Sequence, residues 1–260
     1  MKTFFVVASL TLFLTACGQS DEPAAVAAPE VSETPMQSSA AAGELLIDYI
    51  WNDTTDDMTD AQMADIVDRW NARIDAGGYN MLGANVLMPQ FETDDYDLIW
   101  VIMWPSSEAR AAGWADWNAN QVDDWSTELA GAMSYEPENV YTFKPAGGHD
   151  GMADIAVGGT FHPRFDFCSF NEGQDTASLA AFRVEYDAWL VEGDSNNYGY
   201  YLMEPQFDLA DADFVWLDLF GDEAALEAGT ASWSGSALED SWEAMATCEN
   251  YAFLATAIRR

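Results

Sequence analysis

The sequence predicts an α+β protein made of two successive β-α-β-β-α-β units, and two observations carry this prediction. The stretch MPQFETDDYDLIW at 88–100 is nearly repeated at 204–216 as EPQFDLADADFVW. Upstream of each stretch, apolar residues follow the spacing of one face of an amphipathic helix, and the two stripes align without a gap. Agreement at this many structurally meaningful positions indicates an internal duplication.

The first unit is predicted to occupy residues 44–145. Its first helix starts at Thr59, which has Gln62 three residues later, the pattern of a capping box. The elements expected in order are a strand at 45–52, a helix at 59–76, strands at 80–91 and 97–104, a helical segment at 107–133 with a break near Trp117, and a closing strand at 139–143.

The second unit is predicted at 164–260, after a Gly-rich linker at 146–163. Asp175 is the N-cap candidate that corresponds to Thr59, and Gly193 is the stop that corresponds to Gly77. The expected elements are a strand at 165–170, a helix at 175–191, strands at 200–207 and 213–220, a helical segment at 222–247 and a strand at 251–258.

This order of elements is the ferredoxin-like split βαβ arrangement, which has helices on one sheet face only. The tandem pair resembles the dimeric α+β barrel superfamily, which includes antibiotic-biosynthesis monooxygenases, chlorite dismutases and dye-decolourising peroxidases. The resemblance covers both units and is one of topology, since no family-specific motif matches. It implies that each unit covers the helix-free face of the other, so that one chain forms a pseudo-dimeric α+β barrel.

The alternation within the third strand of each unit separates an aliphatic face from an aromatic face. Ile99 and Val101 share one face, and Trp100 and Trp104 share the other. We expect the slim face to contact helices and the aromatic face to point into the barrel, although the alternation alone also permits the reverse. This predicts an aromatic-lined pocket for a small apolar or aromatic ligand. Its expected lining residues are Trp100, Trp104, Trp216, Asp218, Gln90 and Gln206.

Asp218 and the two glutamines have competing interpretations. Asp218 replaces Ile102 of the first unit, and an unpaired carboxylate there would have a raised pKa and could act as a catalytic base. Alternatively, it lies at a wet barrel end or pairs with an arginine. Gln90 and Gln206 follow prolines that end a strand, which favours a structural role. If they are functional, their amides offer hydrogen bonds at the barrel mouths.

The chain opens with features that predict its location. A short apolar run after Lys2 ends in LTAC, which resembles the lipobox of bacterial lipoproteins and implies a signal peptide at 1–16 and lipid on Cys17. Gly18 follows the cysteine, which by family analogy favours the periplasmic face of the outer membrane. Residues 17–43 are rich in Ala, Pro, Ser and Glu, which predicts a disordered tether.

Charge and residue patterns disfavour several function classes. The formal charge is −36, which repels nucleic acid. Neither histidine, His149 nor His162, belongs to a metal-binding pattern, so no metal or cofactor is predicted, and haem is disfavoured for want of a well-placed axial ligand. Cys168 and Cys248 suit one disulfide in an oxidising compartment, with two buried thiols as the alternative.

Two hypotheses about function remain open at the level of the sequence. The first is an outer-membrane lipoprotein that binds a small apolar or aromatic molecule or has a structural role. The second is a cofactor-independent monooxygenase- or isomerase-like enzyme with Asp218 as base. A cavity that contains Asp218 without a cationic partner would favour the enzyme, whereas a solidly filled barrel would favour an inert scaffold. The sequence does not fix an oligomeric state.

Overall fold

The computed structural model of the protein describes residues 45–129, 131–193 and 197–260. We call β1 to β5 with their helices the first half. Its elements are β1 (Leu46–Thr54), α1 (Asp60–Gly77), β2 (Gly83–Pro89), β3 (Leu98–Trp104), α2 (Ser107–Asn120), α3 (Val122–Leu129), β4 (Met133–Ser134) and β5 (Val140–His149). The capping box between Thr59 and Gln62 is present, and the helical segment is broken at Gln121 rather than near Trp117.

The second half has the same order of elements. They are β6 (Thr160–Phe170), α4 (Thr176–Glu192), β7 (Tyr198–Pro205), β8 (Phe214–Phe220), α5 (Glu223–Trp233), α6 (Ala237–Met245) and β9 (Ala246–Arg259). The main differences from the prediction are three. The linker is shorter, because β5 and β6 each extend into it; the segment at 222–247 forms two helices; and β9 starts early enough to include Cys248.

The strands close into an antiparallel barrel, which confirms the predicted fold class. Around the barrel the order is β3-β2-β9-β6-β8-β7-β5-β1, and pairing of β1 with β3 completes the ring. Within each half the strands lie in the ferredoxin-like order fourth, first, third, second. The halves join at two seams, where β2 pairs with β9 and β5 pairs with β7. The short strand β4 pairs only with the end of β1.

The prediction of which strand face lines the barrel was wrong. Ile99 and Val101 belong to the cluster that fills the barrel interior, together with Leu217 from β8. Trp100 and Trp216 instead lie outside the barrel, each beneath the helices of its own half. The physical reason is crowding. All eight strands send side chains into the barrel centre, whereas the gap between sheet and helices has room for stacked indoles.

The barrel interior is filled rather than hollow. Aromatic rings from both halves meet there edge to face: Tyr49 lies 5.3 Å from Phe165 and 5.7 Å from Phe143, measured between ring centroids. The surrounding positions are occupied by buried aliphatic side chains such as Val215 and Met203. The predicted pocket inside the barrel is therefore replaced by a core that ties the two halves together.

The repeated PQF sequence closes the two seams. Pro89 and Pro205 end β2 and β7, as predicted. The backbone N–H of Gln90 donates across one seam to Ala252, and that of Gln206 donates across the other to Thr142.

The phenylalanines that follow lie at the same end of the barrel, one at each seam, because β2 and β7 run in the same direction in the ring. The ring of Phe91 lies 5.4 Å from Phe253, and the ring of Phe207 lies 5.2 Å from Phe143. The repeat is thus explained by the architecture, because each half must seal against the other in the same way.

Candidate functional site

A large cleft opens in the second half, between the outer face of its sheet and helices α4, α5 and α6. Its volume is about 1190 Å³, which exceeds the usual size of small-molecule pockets. Its aromatic lining consists of Phe182, Tyr186, Trp189, Tyr198, Trp216, Phe220, Trp233 and Trp242. Trp189, Trp233 and Trp242 are only partly buried, so their rings are accessible from the cleft.

The same space in the first half is filled. There the cavity beneath the helices measures about 50 Å³. The two halves correspond closely: Ser106 and Asp222 cap α2 and α5 in the same way, and Gly113 and Gly229 lie against the rings of Trp104 and Phe220.

At one corresponding position on α2 and α5, the two halves have side chains of very different size. Trp114 follows Gly113 in the first half, whereas the residue that follows Gly229 is Thr230. The side chain of Trp114 lines the small first-half cavity, and Thr230 lines the large one. A bulky indole in one half is therefore matched by a short hydroxyl side chain in the other.

The floor of the cleft carries a buried polar network around Asp218. One carboxylate oxygen accepts hydrogen bonds from the Tyr198 hydroxyl at 2.5 Å and from the Trp216 indole N–H at 2.8 Å. The other oxygen accepts from the Arg164 guanidinium, whose Nε lies at 3.0 Å. Asp218 is thus held as a paired carboxylate. This matches the arginine-paired interpretation and removes the reason for assigning it the role of base.

Asp166, next but one to Arg164 on β6, has a less complete set of partners. It is 4% exposed, and Oδ1 accepts from the side-chain amide of Asn250, with Nε of Arg164 at 3.7 Å. Within the described residues, Oδ2 accepts no hydrogen bond. Burial first, and the neighbouring Asp218 carboxylate second, raise the pKa of Asp166 to about 6, against the lowering by Arg164 and Asn250. Asp166 can therefore exchange a proton near neutral pH.

Two tyrosines complete the inner wall. The hydroxyls of Tyr186 and Tyr198 lie 2.7 Å apart and share a hydrogen bond. Burial, with Asp218 as the second cause, raises the pKa of both phenols above its ordinary value. Both therefore remain neutral hydroxyls that do not supply charge to a ligand; Tyr198 orients Asp218, and Tyr186 bonds to Tyr198.

The first half places a different polar cluster at the corresponding strand positions. Asp48 is fully buried, and its carboxylate accepts from the indoles of Trp104 and Trp114 at 2.9 Å and 2.7 Å. It also accepts from Arg110 Nε and the Thr142 hydroxyl, each at 2.7 Å. With four donors, this carboxylate fixes the core and has no capacity left for a ligand.

The structure contains the disulfide between Cys168 and Cys248. The two residues lie opposite each other on β6 and β9, with Cα atoms 4.1 Å apart. Cys248 is part of the cleft lining, and Cys168 is fully buried beside it. The bond joins the two strands that supply Asp166 and Asn250, and so fixes one edge of the cleft floor.

The site residues predicted from sequence are dispersed. Trp216 and Asp218 line the cleft, whereas Trp100 and Trp104 belong to the filled first half. Gln90 and Gln206 are exposed at the seams. Their amides donate to backbone carbonyls within two residues. Cys17 lies outside the described residues.

Sequence reasoning missed four residues of the floor, although the alternation of polar and aromatic residues in β6 indicates two of them. The residues are Arg164, Asp166, Tyr198 and Asn250. In β6, polar side chains alternate with phenylalanine, so that His162, Arg164 and Asp166 share the face opposite the barrel core. A charged face in the centre of a sheet that is covered on both sides indicates a functional or paired cluster.

Some members of the superfamily that this chain resembles bind haem, whose iron takes an axial ligand from the protein. Among the described residues that line the cleft there is no histidine, cysteine thiol or methionine, and the two tyrosines there are neutral phenols held by Asp218 and by each other. His162 lies near Glu223, at 3.7 Å, and is not part of the lining. The residues present therefore do not fit an axial ligand set.

The described residues also show two absences. No group of three or more His, Cys, Asp or Glu side chains within residues 45–129, 131–193 and 197–260 is arranged to hold a metal ion. Across the same residues, no helix combines the length and apolar character that a membrane crossing requires.

Comparison with known proteins supports the fold. An anthrone oxidase-like protein superposes with a TM-score of 0.51 at 16% identity, over 85% of this chain and 93% of that protein. A chlorite dismutase variant from Candidatus Nitrospira defluvii has a TM-score of 0.51 at 6% identity, over 82% and 92%. A candidate monooxygenase from Fusobacterium nucleatum has 0.50 at 8%, over 83% and 93%. At these identities the likeness extends to the fold alone.

The sequence comparisons give no assignment. No family model matches the chain. No curated protein matches it either. The α+β barrel is therefore established by topology and by solved structures, and the function must be argued from the cleft.

Proposed function

We propose that this protein is a lipid-anchored binding protein for a small aromatic molecule, which enters the cleft of the second half. The observation that carries the proposal is the contrast between about 1190 Å³ of open space in one half and about 50 Å³ in the other. An unfilled cavity next to partly exposed tryptophans forgoes packing energy, and proteins keep such spaces where a ligand fills them.

The chemistry of the lining supports an aromatic ligand. The accessible rings of Trp189, Trp233 and Trp242 offer stacking and edge-to-face contacts to a planar molecule. The floor adds a small number of fixed polar groups, among them Asp166 and Arg164, that can orient one end of it. Apolar walls with a few convergent polar groups are typical of small-molecule sites.

Fluorescence titration with N-phenyl-1-naphthylamine, a neutral aromatic probe, tests binding in this cleft. The decisive variant is Thr230→Trp, which gives the second half the indole that the first half has at Trp114. Its matched control is Ala231→Trp, one residue further on the same helix and outside the lining. We expect the probe to bind the unmodified protein and the control, with at least about tenfold weaker binding to Thr230→Trp. Equal binding by all three proteins would place the probe elsewhere and contradict the proposal.

The proposed membrane location rests on the start of the sequence. The LTAC sequence that ends at Cys17 supports cleavage before this residue and lipidation of its sulfur. Acyl chains together with a tether would hold the folded part at the periplasmic face of the outer membrane. The substitution Cys17→Ser is expected to release the protein into the soluble fraction. A substituted protein that stays in washed outer membranes would contradict this anchor.

A second candidate function is catalysis by proton transfer, and one observation favours it. Asp166 is a buried carboxylate with a free oxygen on the cleft and a pKa of about 6, which suits a general base. It replaces Asp218 in the enzyme hypothesis, because Asp218 is held by Arg164.

Hydrogen–deuterium exchange tests catalysis directly. With anthrone as the carbon acid in D₂O, Asp166 would take a proton from the methylene carbon and return a deuteron. We expect exchange above the buffer rate for the unmodified protein, and its loss in Asp166→Asn. If exchange proceeds at the buffer rate with both proteins while the neutral probe still binds, the protein is a binder without this activity.

A further inference from the structure

The charges that line the cleft are strongly unbalanced. Its carboxylates come from both strands and helices. They are Asp166, Asp218, Asp222, Glu239 and Glu243. Among the described lining residues, Arg164 is the sole cationic side chain, and it is bonded to Asp218. A ligand that enters this space therefore meets a negative potential.

Two of these carboxylates, those of Asp166 and Glu243, have capacity left for a ligand, whereas those of Asp222 and Glu239 already accept hydrogen bonds. Asp222 caps α5 and accepts from Asn197, and Glu239 accepts from the backbone of Gly235. By contrast, within the part of the chain that the structure describes, the side chain of Glu243 and Oδ2 of Asp166 accept no hydrogen bond. Asp166 is 4% exposed as a residue, but its Oδ2 is not among the fully buried unpaired atoms of the described residues, so this oxygen opens onto the cleft, whereas Glu243 is exposed at the rim.

The aromatic walls are suited to the same kind of ligand. A cation is attracted to the face of an aromatic ring, and tryptophan gives the strongest interaction of this type. Three partly buried tryptophans, Trp189, Trp233 and Trp242, border the cleft. The cleft already contains one such pair, in which the guanidinium carbon of Arg164 lies 5.9 Å from the centre of the Phe220 ring.

We infer that the cleft selects organic cations, that is, aromatic or alkylated ammonium compounds whose charge lies near Asp166 while their apolar part contacts the tryptophans. The inference rests on the proposed binding function and adds the class of ligand. An anion would face the carboxylates without a free cationic partner. A bare metal ion fits poorly, because the carboxylates are spread along aromatic walls, and none of the described residues form a metal-binding cluster.

The charge of the whole protein does not account for this selectivity. The formal charge of −36 attracts every cation, but salt screens that attraction over about 8 Å at physiological ionic strength. A buried carboxylate in contact with the ligand is screened much less. Selectivity that persists in high salt therefore reports on the cleft, whereas selectivity that vanishes reports on the surface.

Two probes of nearly the same shape test the inference. Phenyltrimethylammonium carries a positive charge where tert-butylbenzene has a neutral carbon. Each is used to displace N-phenyl-1-naphthylamine from the full protein in about 0.3 M salt, where the Debye length is roughly 6 Å. We expect the cation to bind at least about tenfold more tightly than its neutral counterpart.

Charge-removing variants locate the effect. Asp166→Asn is expected to lower the ratio of the two affinities several-fold, and Glu243→Gln, an exposed position that keeps the fold, is expected to lower it less. Glu227→Gln is the control, because Glu227 lies on α5, is exposed and does not line the cleft. It should leave the ratio unchanged.

The outcomes separate the inference from the function on which it rests. If the probe binds and the two competitors have equal affinity, the cation selectivity is wrong and aromatic binding stands. If the ratio exceeds ten but no lining variant changes it, the preference arises on the surface and the inference is again wrong. If the naphthylamine does not bind at all, the proposed function fails and the inference fails with it.

Discussion

The two halves of this protein have the same strand order and register, but one is filled and the other is open. In the first half, Asp48 on β1 lies opposite Ile102 on β3. In the second half, Arg164 on β6 lies opposite Asp218 on β8. The first half has a buried carboxylate, Asp48, that accepts hydrogen bonds from four donors of its own half, one of them Arg110. The second half replaces it with a row of charged groups that faces an open cleft. The same fold therefore has a filled core in the first half and an open cleft in the second.

A few substitutions account for this difference. The position of Ile50 in the first half is that of Asp166 in the second, and Trp114 corresponds to Thr230. The first change introduces a charge into the sheet face, and the second removes an indole from the space above it. Neither changes the backbone. The comparison shows how a shorter side chain on a helix can leave an open cleft in one half while the other half stays filled.

The largest expected effect concerns equivalent tryptophans. Trp117→Ala should lower the free energy of unfolding by about 3–5 kcal/mol, because the ring is buried and packs edge to face with Trp125. The two ring centroids are 6.1 Å apart. Trp233→Ala should cost about 1–2 kcal/mol, since this ring borders open space. Urea denaturation of both variants measures the difference. Equal losses would mean that the two halves are packed alike.

The disulfide gives the next largest effect. The first half has Asn52 where the second has Cys168. Replacing both Cys168 and Cys248 by Ala should lower the free energy of unfolding by about 4 kcal/mol, because the bond closes a loop between residues 80 apart in the chain. Thermal unfolding of this variant beside the unmodified protein, with and without reductant, gives the value. A reductant effect on the variant itself would indicate another cause.

The third effect is a dependence of stability on pH that belongs to Asp166. Its pKa in the folded protein, about 6, exceeds the ordinary carboxyl value, so the folded state binds the proton more tightly than the unfolded chain does. The contribution is thus a cost that is fully present above pH 6 and disappears as the pH falls toward 4. Its size is on the order of 3 kcal/mol, because the pKa rises from 3.8 to about 6 and one pKa unit corresponds to about 1.4 kcal/mol.

Asp166→Asn removes this titration while keeping the shape of the side chain. The groups that face Asp166 are Asp218, Arg164 and Asn250, and all of them remain in the variant. The variant should be more stable than the unmodified protein at pH 7.5, and the advantage should shrink at pH 4.5. An advantage that is the same at both pH values would show that Asp166 is ionised throughout this range.

The smallest effect is expected at the seams, where the two halves are alike. Gln90→Ala and Gln206→Ala should each change the free energy of unfolding by less than about 0.5 kcal/mol, because both side chains are exposed and their backbone N–H groups make the seam bonds. Both should leave the affinity for the naphthylamine probe unchanged. A loss of affinity in either variant would restore these glutamines to the site.

The fold could be predicted from the sequence because its signals are local and redundant. Helix stripes, caps such as Thr59, and paired strands near 88–100 and 204–216 fix the element order, and one-sided sheets then require a barrel. The orientation of each strand could not be predicted in the same way. Both faces are apolar, so the choice depended on the space available inside a closed barrel, which is a property of all the strands together. Internal duplication as the origin of the two halves stays a prediction.

The candidate site was predicted only in part, for a related reason. Asp218 was identified because it breaks an apolar pattern, yet its role depends on Arg164, which lies 54 residues earlier in the chain and beside it in the sheet. The size of the cleft could not be inferred from any single residue. It results from a short side chain at Thr230 in a place where a helix and a sheet face each other.

The seam between β2 and β9 also sets the order of events during synthesis. Asn71 on α1 donates to the backbone of Ile258, 187 residues further along the chain, and β9 is hydrogen-bonded to β2 on one edge and β6 on the other. The ring therefore cannot close until residues 246–259 have been made. Until then β2 and β6 each present an open strand edge, which can pair with a second copy of the chain.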